Sequence, residues 1–221
     1  MGEVYKMTIA GCERELPICP ISDTLDIAGF VMFGDVEITE KTAKALMEKC
    51  PEHDIIITAE SKGIPLAYEM ARIGCRQYVV ARKGIKAYMT NPIKVEVKSI
   101  TTDHIQTLYL SEEDCAMLKG KRILIVDDVI STGESLSALE DLVHEIGGNV
   151  VGKAAVLAEG DAKDRTDIIF WSRSRCSSSN FIKAKKAVRF GGQLFTFYRV
   201  FPAASMHKNL WVMRLETVFV F

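Results

Sequence analysis

The chain has 221 residues, 48% hydrophobic and 26% charged, with 28 Lys and Arg against 29 Asp and Glu for a formal net charge of −1. That length holds one full domain with a substantial core and is short for two, and no apolar stretch approaches the length needed to span a membrane. The near-zero charge hides a split: residues 172–221 carry nine Lys or Arg against the single acid Glu216, which leaves residues 1–171 at about −9.

Met1–Ala10 lacks the basic start and long apolar run of a signal peptide, and Lys6 stands where myristoylation wants Ser or Thr. The six cysteines are scattered without a C-x-x-C pair, which reads as reduced thiols, several of them in the core. A soluble, cytoplasmic protein is expected.

In chain order, Val4–Ile9 and Glu13–Ile18 flank Ala10-Gly11-Cys12 and predict a hairpin. Pro17, Pro20 and Gly29 then break the pattern. Thr42–Cys50 predicts a helix, Ile55–Ala59 a buried strand, Ile64–Ile73 a helix closed by Gly74, and Tyr78–Ala81 a second strand. From Arg82 to Tyr109 runs a long stretch with weak helical signal, in which Lys94–Ile100 suits an extended arm; connections of that length are usually functional. Ser111-Glu112-Glu113-Asp114 reads as a helix start. Arg122–Asp127 predicts a strand, Glu134–Ile146 a helix stopped by Gly147-Gly148, and Val150–Ala158 another strand. Strands without polar alternation, separated by amphipathic helices, predict an α/β fold: an open, mostly parallel twisted sheet with helices on both faces.

The segment Ile123-Leu-Ile-Val-Asp127-Asp128-Val-Ile-Ser131-Thr132-Gly133-Glu134-Ser135 carries the chemistry. A buried strand delivers two adjacent carboxylates at its C-terminal end, and a Ser/Thr/Gly turn then opens a helix. Ligands of open α/β sheets sit at that edge. The amides of the turn and the helix dipole suit a phosphate, and the two acids suit the vicinal hydroxyls of a ribose. Two other readings stand beside this one. Ser131-x-x-Glu134 fits a capping box, and apolar-Asp-Asp also resembles the phosphoacceptor strand of response-regulator receivers, although there the pair opens the domain. A P-loop is excluded, since G-x-x-x-x-G-K-[ST] does not occur.

The same segment resembles the phosphoribosyl pyrophosphate (PRPP) signature of type I phosphoribosyltransferases. Ala59-Glu60-Ser61-Lys62-Gly63 resembles the family's pyrophosphate loop, Arg82-Lys83 its basic pair, and Ala155-Val-Leu-Ala-Glu159-Gly160-Asp161 its last core strand and base loop. The likeness spans about residues 15–171 and is nearest to adenine and xanthine phosphoribosyltransferase-like proteins. It implies transfer of the phosphoribosyl group of PRPP to a purine base with release of pyrophosphate. Asp127 and Asp128 would be catalytic; Ile130, Ser131, Thr132, Gly133, Glu134 and Ser135 would bind the 5′-phosphate; Ser61, Lys62, Arg82 and Lys83 would bind pyrophosphate. Phe30 and Glu159 would meet the base. Mg²⁺ would be held through PRPP and water near Asp127 and Asp128, with no direct protein cage. The resemblance also implies a homodimer, with residues 1–30 as a hood, 31–171 as the core, and neither membrane nor nucleic acid as partner.

Departures from the family pattern leave the base open. Glu134 stands where many members have a second glycine, Ser99-Ile100-Thr101-Thr102 where adenine-specific relatives place a Glu-Tyr pair, and Gly160 where a xanthine-specific relative has Lys. A second function class is a PRPP-sensing regulator that binds DNA through another segment; residues 1–40 show no DNA-binding helix pair.

Residues 172–221 do not continue the family pattern. Half of the chain's aromatics lie there, and Phe190–Phe201 has no clean helical or strand period. Phe170–Ser177 can be encoded TTC TGG AGC CGC TCC CGC TGT TCN, and moving the frame back one base yields Leu-Glu-Pro-Leu-Pro-Leu-Phe, an ending the family favours. The expectation is a tail made by a reading-frame change, disordered or poorly packed, rather than an evolved module.

Overall fold

A computed structural model describes residues 4–22, 25–98, 105–131, 133–159, 162, 164–173, 184–190, 193–199 and 211–214. In chain order the elements are β1 (Val4–Ile9), β2 (Cys12–Ser22), β3 (Leu25–Ala28), α1 (Val36–Met47), β4 (Ile55–Ala59), α2 (Ile64–Ile73), β5 (Tyr78–Ala81), β6 (Ile93–Lys98), β7 (Ile105–Leu110), α3 (Glu112–Leu118), β8 (Arg122–Ile130), α4 (Glu134–Glu145), β9 (Asn149–Ala158), β10 (Ile169–Arg173), β11 (Ala184–Phe190), β12 (Gln193–Arg199) and β13 (Trp211–Arg214). The chain divides into two compact units, one of Thr8–Arg14 and Val31–Ser174, the other of Met1–Met7, Glu15–Phe30 and Arg175–Phe221.

The larger unit is built on a five-stranded sheet in the order β10-β9-β8-β4-β5, every pair parallel. Its middle strands read as unbroken apolar runs because both faces are covered: all five residues of β4 are buried. Successive side chains point to opposite faces. Ile55, Ile57, Ile123 and Ile125 therefore join the cluster that includes Cys115 and Leu118 of α3 and Leu136, Leu139 and Leu142 of α4. The opposite face meets the buried stripes of α1 and α2, Ile38, Ala43 and Leu46 with Leu66, Ala67 and Met70. Burying one such side chain is worth roughly 1.5–3 kcal/mol.

Helix α1 begins six residues before the predicted Thr42. Val36-Glu37-Ile38-Thr39 is poor helix sequence, since β-branched residues lose rotamer freedom in a helix. The cap overrides that preference. Asp35 accepts from the Ile38 amide at 3.2 Å and is clamped by Arg14, Nε to Oδ2 at 2.6 Å and Nη2 to Oδ1 at 2.9 Å. The Arg14 hydrogen bond holds the Asp35 carboxyl below its ordinary range. Helix α3 starts as the sequence predicts, on a capping box in which Ser111 and Asp114 exchange hydrogen bonds.

The long stretch after β5 holds an antiparallel pair, β6 with β7, in register from Ile93↔Leu110 to Lys98↔Ile105. The loop positions Ser99–Thr102 lie outside the described residues. Strand β10 continues the core ladder to Ser172↔Leu157 and Arg173↔Ala158, two residues past the boundary drawn at 171. No helix among the described residues is long and apolar enough to cross a membrane.

Strands β1, β2 and β3 neighbour one another in that order. Ala10 and Gly11 make the turn between β1 and β2 with φ of 49° and 78°, the positive values that a two-residue hairpin requires. Pro17 and Pro20, which read as breaks, lie inside β2, whose register with β3 shifts between Pro20 and Ser22. Strands β11, β12 and β13 form an antiparallel meander. The span Phe190–Phe201, without a period in sequence, thus contributes the paired strand β12; backbone hydrogen bonds make that ladder and need no side-chain alternation.

Candidate active site

Three connections converge at the C-terminal edge of the parallel sheet: Glu60–Gly63 after β4, Arg82-Lys83 after β5, and Ser131–Gly133 after β8. At that edge lies a cleft of about 200 Å³ whose lining includes Ser61, Lys62 and Lys83 together with Asp127, Asp128 and Ser135. Acids and cations face one cleft here.

Asp127 and Asp128 are not at the end of β8, as predicted, but inside it. The strand runs on to Ile130 because its backbone stays paired with β9, Asp127↔Ala155 through Ile130↔Ala158. Asp128 is only 5% exposed and its Oδ2 is buried with no hydrogen-bond partner. An orphaned carboxylate oxygen costs stability unless something in the cleft satisfies it. Asp127 Oδ1 accepts from the Asp128 amide at 2.9 Å. Burial, and after it the Asp128 charge, pushes the Asp127 carboxyl up to about 7. Glu159, at the end of β9, is shifted upward as well, first by burial and then by Asp128. Its amide donates to the Ile130 carbonyl at 2.8 Å, which ties the Glu159 segment to the end of β8.

Two residues outside the predicted set shape this cleft. Gly63 opens α2 so close to β8 that a β-carbon there would strike the Thr58 hydroxyl and lie 2.9 Å from Asp127 Oδ1. Glu60 joins the basic loop. Its Oε2 accepts from the Lys83 amide at 3.1 Å, and its Oε1 lies 3.3 Å from Lys86 Nζ and 3.7 Å from Arg82 Nη1. Arg82 is bound on both sides, its backbone exchanging hydrogen bonds with Tyr109 at 2.9 and 2.8 Å, and it does not line the cleft. Lys83 does. A buried glycine after a strand and an acid just before Ser61-Lys62 were the available sequence signals.

Helix α4 begins at Gly133, φ 81°, with no side-chain cap. A capping box on Ser131 is therefore not what starts this helix. Thr132 lies outside the described residues, and Ile130 is buried, the last paired residue of β8 rather than part of the turn. Phe30 is buried at 5% exposure and belongs to the smaller unit. Gly160 and Asp161 also lie outside the described residues.

Residues 33–188 match the family model described as phosphoribosyl transferase domain. The chain belongs to the type I phosphoribosyltransferase family. It is 30% identical over 175 residues to the adenine phosphoribosyltransferase of Desulfosudis oleivorans, covering 73% of this chain and 92% of that one. It is 26% identical over 198 residues to the purine biosynthesis transcriptional repressor PurR of Bacillus subtilis, covering 87% of this chain and 65% of the repressor. The chain spans 54–65% of the length of the purine repressors it matches. The solved adenine phosphoribosyltransferase of Saccharomyces cerevisiae shares the fold at a TM-score of 0.57 and 19% identity, over 76% of this chain and 94% of that one. The phosphoribosyltransferase match passes residue 171 and ends at 188.

Proposed function

We propose that this phosphoribosyltransferase moves the phosphoribosyl group of PRPP to a purine base and releases pyrophosphate. The observation that carries the reading is the adjacency of Asp127, Asp128 and the left-handed Gly133 turn on one strand–helix connection, with Lys62 and Lys83 lining the same cleft as the acids. A ribose with a phosphate at one end and a pyrophosphate at the other matches that order of acids, amides and ammonium groups.

In this mechanism C1 of the ribose becomes cationic as pyrophosphate leaves, so the protein contributes positioning and charge. Asp127 and Asp128 accept hydrogen bonds from the ribose hydroxyls and offset the developing charge. Lys62, Lys83 and the Ser61 hydroxyl bind the departing pyrophosphate, and Ser135 and the amides of the turn bind the 5′-phosphate. Arg82 acts behind them, holding Glu60 and with it the Lys83 backbone. No cluster of three metal-binding side chains occurs among the described residues, and the carboxylate oxygens of Asp127 and Asp128 suit a hard cation whose other ligands are substrate oxygens and water. Mg²⁺ bound there would neutralise the pyrophosphate. Glu159 is the candidate for the acceptor base, and the chain would act as a homodimer in the cytoplasm.

A second reading is a PRPP-responsive regulator, favoured by the similarity to the purine repressors. One assay separates the two: PRPP-dependent nucleotide formation with adenine, hypoxanthine, guanine, xanthine and orotate. Turnover with a purine supports the enzyme. PRPP binding without turnover on any base overturns it and leaves the regulator.

A further inference from the structure

Arg165 lies outside every motif that the family resemblance uses, yet its head group reaches the turn after β8. Nη1 sits 2.8 Å from where a β-carbon on Gly133 would be. The guanidinium is aimed, not loose. Its Nε donates to Asp167 Oδ1 at 2.9 Å and its Nη2 to Asp167 Oδ2 at 2.6 Å, a two-point grip that fixes the plane of the fork. Asp167 is anchored in turn by Lys153 of β9 at 2.9 Å, and Lys153 pairs with Glu140 of α4 at 2.6 Å. The Arg165 backbone amide closes a turn on the Ala162 carbonyl at 3.2 Å.

This placement is costly in the protein alone. The start of α4 already carries the positive end of the helix dipole, so a cation beside Gly133 is unfavourable until an anion lies between them. Among the described residues the ion pair of Arg165 is with Asp167. Nε and Nη2 are engaged by Asp167, whereas Nη1 takes no part in that grip and lies beside a residue without a side chain. Three residues before the Ser131–Gly133 turn, on the same strand, Asp128 is 5% exposed with a buried oxygen that has no partner among the described residues, an independent sign that a polar ligand completes this strand end.

We propose that Arg165 is a ligand-binding residue whose Nη1, aimed by Asp167, donates to a phosphomonoester seated on the Ser131–Gly133 turn. The inference rests on the phosphoribosyltransferase reading above and assigns its sugar-phosphate end to a side chain. Arg165 adds a charged, directional donor where the turn offers backbone amides, which favours a terminal phosphate over an uncharged group.

The test is calorimetric binding of ribose 5-phosphate, pyrophosphate and PRPP to the full chain and to Arg165→Gln, Arg165→Lys and Asp167→Asn. The Gln variant should bind ribose 5-phosphate about ten- to a hundredfold more weakly, the scale of one charge-assisted hydrogen bond. Its affinity for pyrophosphate, which lacks that end, should stay within about twofold, since no contact of pyrophosphate is removed. Asp167→Asn should weaken ribose 5-phosphate less, and Arg165→Lys should restore part of the Gln loss. Unchanged ribose 5-phosphate binding in the Gln variant, while the unmodified chain binds it, overturns the role of Arg165 alone. Equal losses for both ligands with a lowered melting temperature also overturn it, as the residue is then structural. An unmodified chain that binds none of the three ligands overturns the phosphoribosyltransferase reading and this inference together.

Discussion

Gly63 and Asp127 are packed so closely that a β-carbon on the first would lie 2.9 Å from a carboxylate oxygen of the second and 3.2 Å from its Cα. Gly63 has φ −71°, a value any residue adopts, so its role is steric and not conformational. Gly63→Ala should cost about 1–3 kcal/mol of stability, the usual price of overpacking. It should also lower PRPP-dependent turnover by more than about tenfold, because Asp127 must give way together with Thr58. Chemical denaturation and a turnover assay check the two effects separately; unchanged turnover would show that Asp127 is not in the reaction.

The carboxylate pair itself predicts a sharper loss. Asp127→Asn with Asp128→Asn should abolish transfer while the chain stays folded, since the pair faces the cleft and Asp128 Oδ2 has no internal partner to lose. Each lost charge-assisted bond is worth about 1.5–3 kcal/mol, so turnover should fall well over tenfold. Circular dichroism establishes folding, and near-normal turnover would sink the assignment.

The raised Asp127 carboxyl makes pH a probe. In the folded chain without ligand it holds its proton up to about 7, whereas an unfolded aspartate releases it in the ordinary acidic range. The folded state therefore binds more protons in that window, and stability falls as pH rises through it. Ligand hydroxyls and Mg²⁺ favour the ionised pair, so PRPP affinity in the presence of Mg²⁺ should rise over the same window, with proton release on binding. Calorimetry in two buffers of different ionisation enthalpy measures that release. Asp128→Asn should move the midpoint down, because the neighbouring charge is the second cause of the shift.

Gly133 differs from Gly63 in that both conformation and space are restricted. Its φ of 81° is a region that β-branched residues avoid, and Arg165 Nη1 occupies the space a side chain would need. Gly133→Val should raise the apparent KM for PRPP strongly and affect pyrophosphate binding little. Calorimetric PRPP affinity equal to that of the unmodified chain would reduce the turn to a helix start.

The C-terminal segment yields a prediction at the level of DNA. A frame shift that restores Leu-Glu-Pro-Leu-Pro-Leu-Phe requires TTC or TTT at Phe170, TGG AGC CGC TCC at Trp171–Ser174, CGC or CGT at Arg175, TGT at Cys176 and a codon beginning TC at Ser177. Sequencing the coding region decides it, since other codons at these positions exclude the change. If the codons are as required, restoring the original frame should raise solubility and thermal stability.

The element pattern and the chemistry of one segment were legible in the sequence. Continuous apolar runs at Ile55–Ala59 and from Ile123 onward mean strands buried on both faces, and two acids followed by Ser-Thr-Gly are local information. Helix starts were legible where a side chain caps its own turn, as at Ser111. The start of α1 was not, because its cap Asp35 is clamped by Arg14, 21 residues away.

By itself, then, the sequence determined which strand carries the carboxylates, which turn follows them and that Lys62 and Lys83 were candidates. Only the tertiary structure decided that β8 continues past both acids, since its pairing with β9 is a long-range matter. It alone turned Arg82 toward Glu60 and Lys83 into the cleft, although the two are neighbours in the chain. It also brought Arg165 to Gly133 and Gly63 to Asp127. Those meetings depend on hydrogen-bonded register and on the space a missing side chain leaves, and neither is a property of any local stretch of residues.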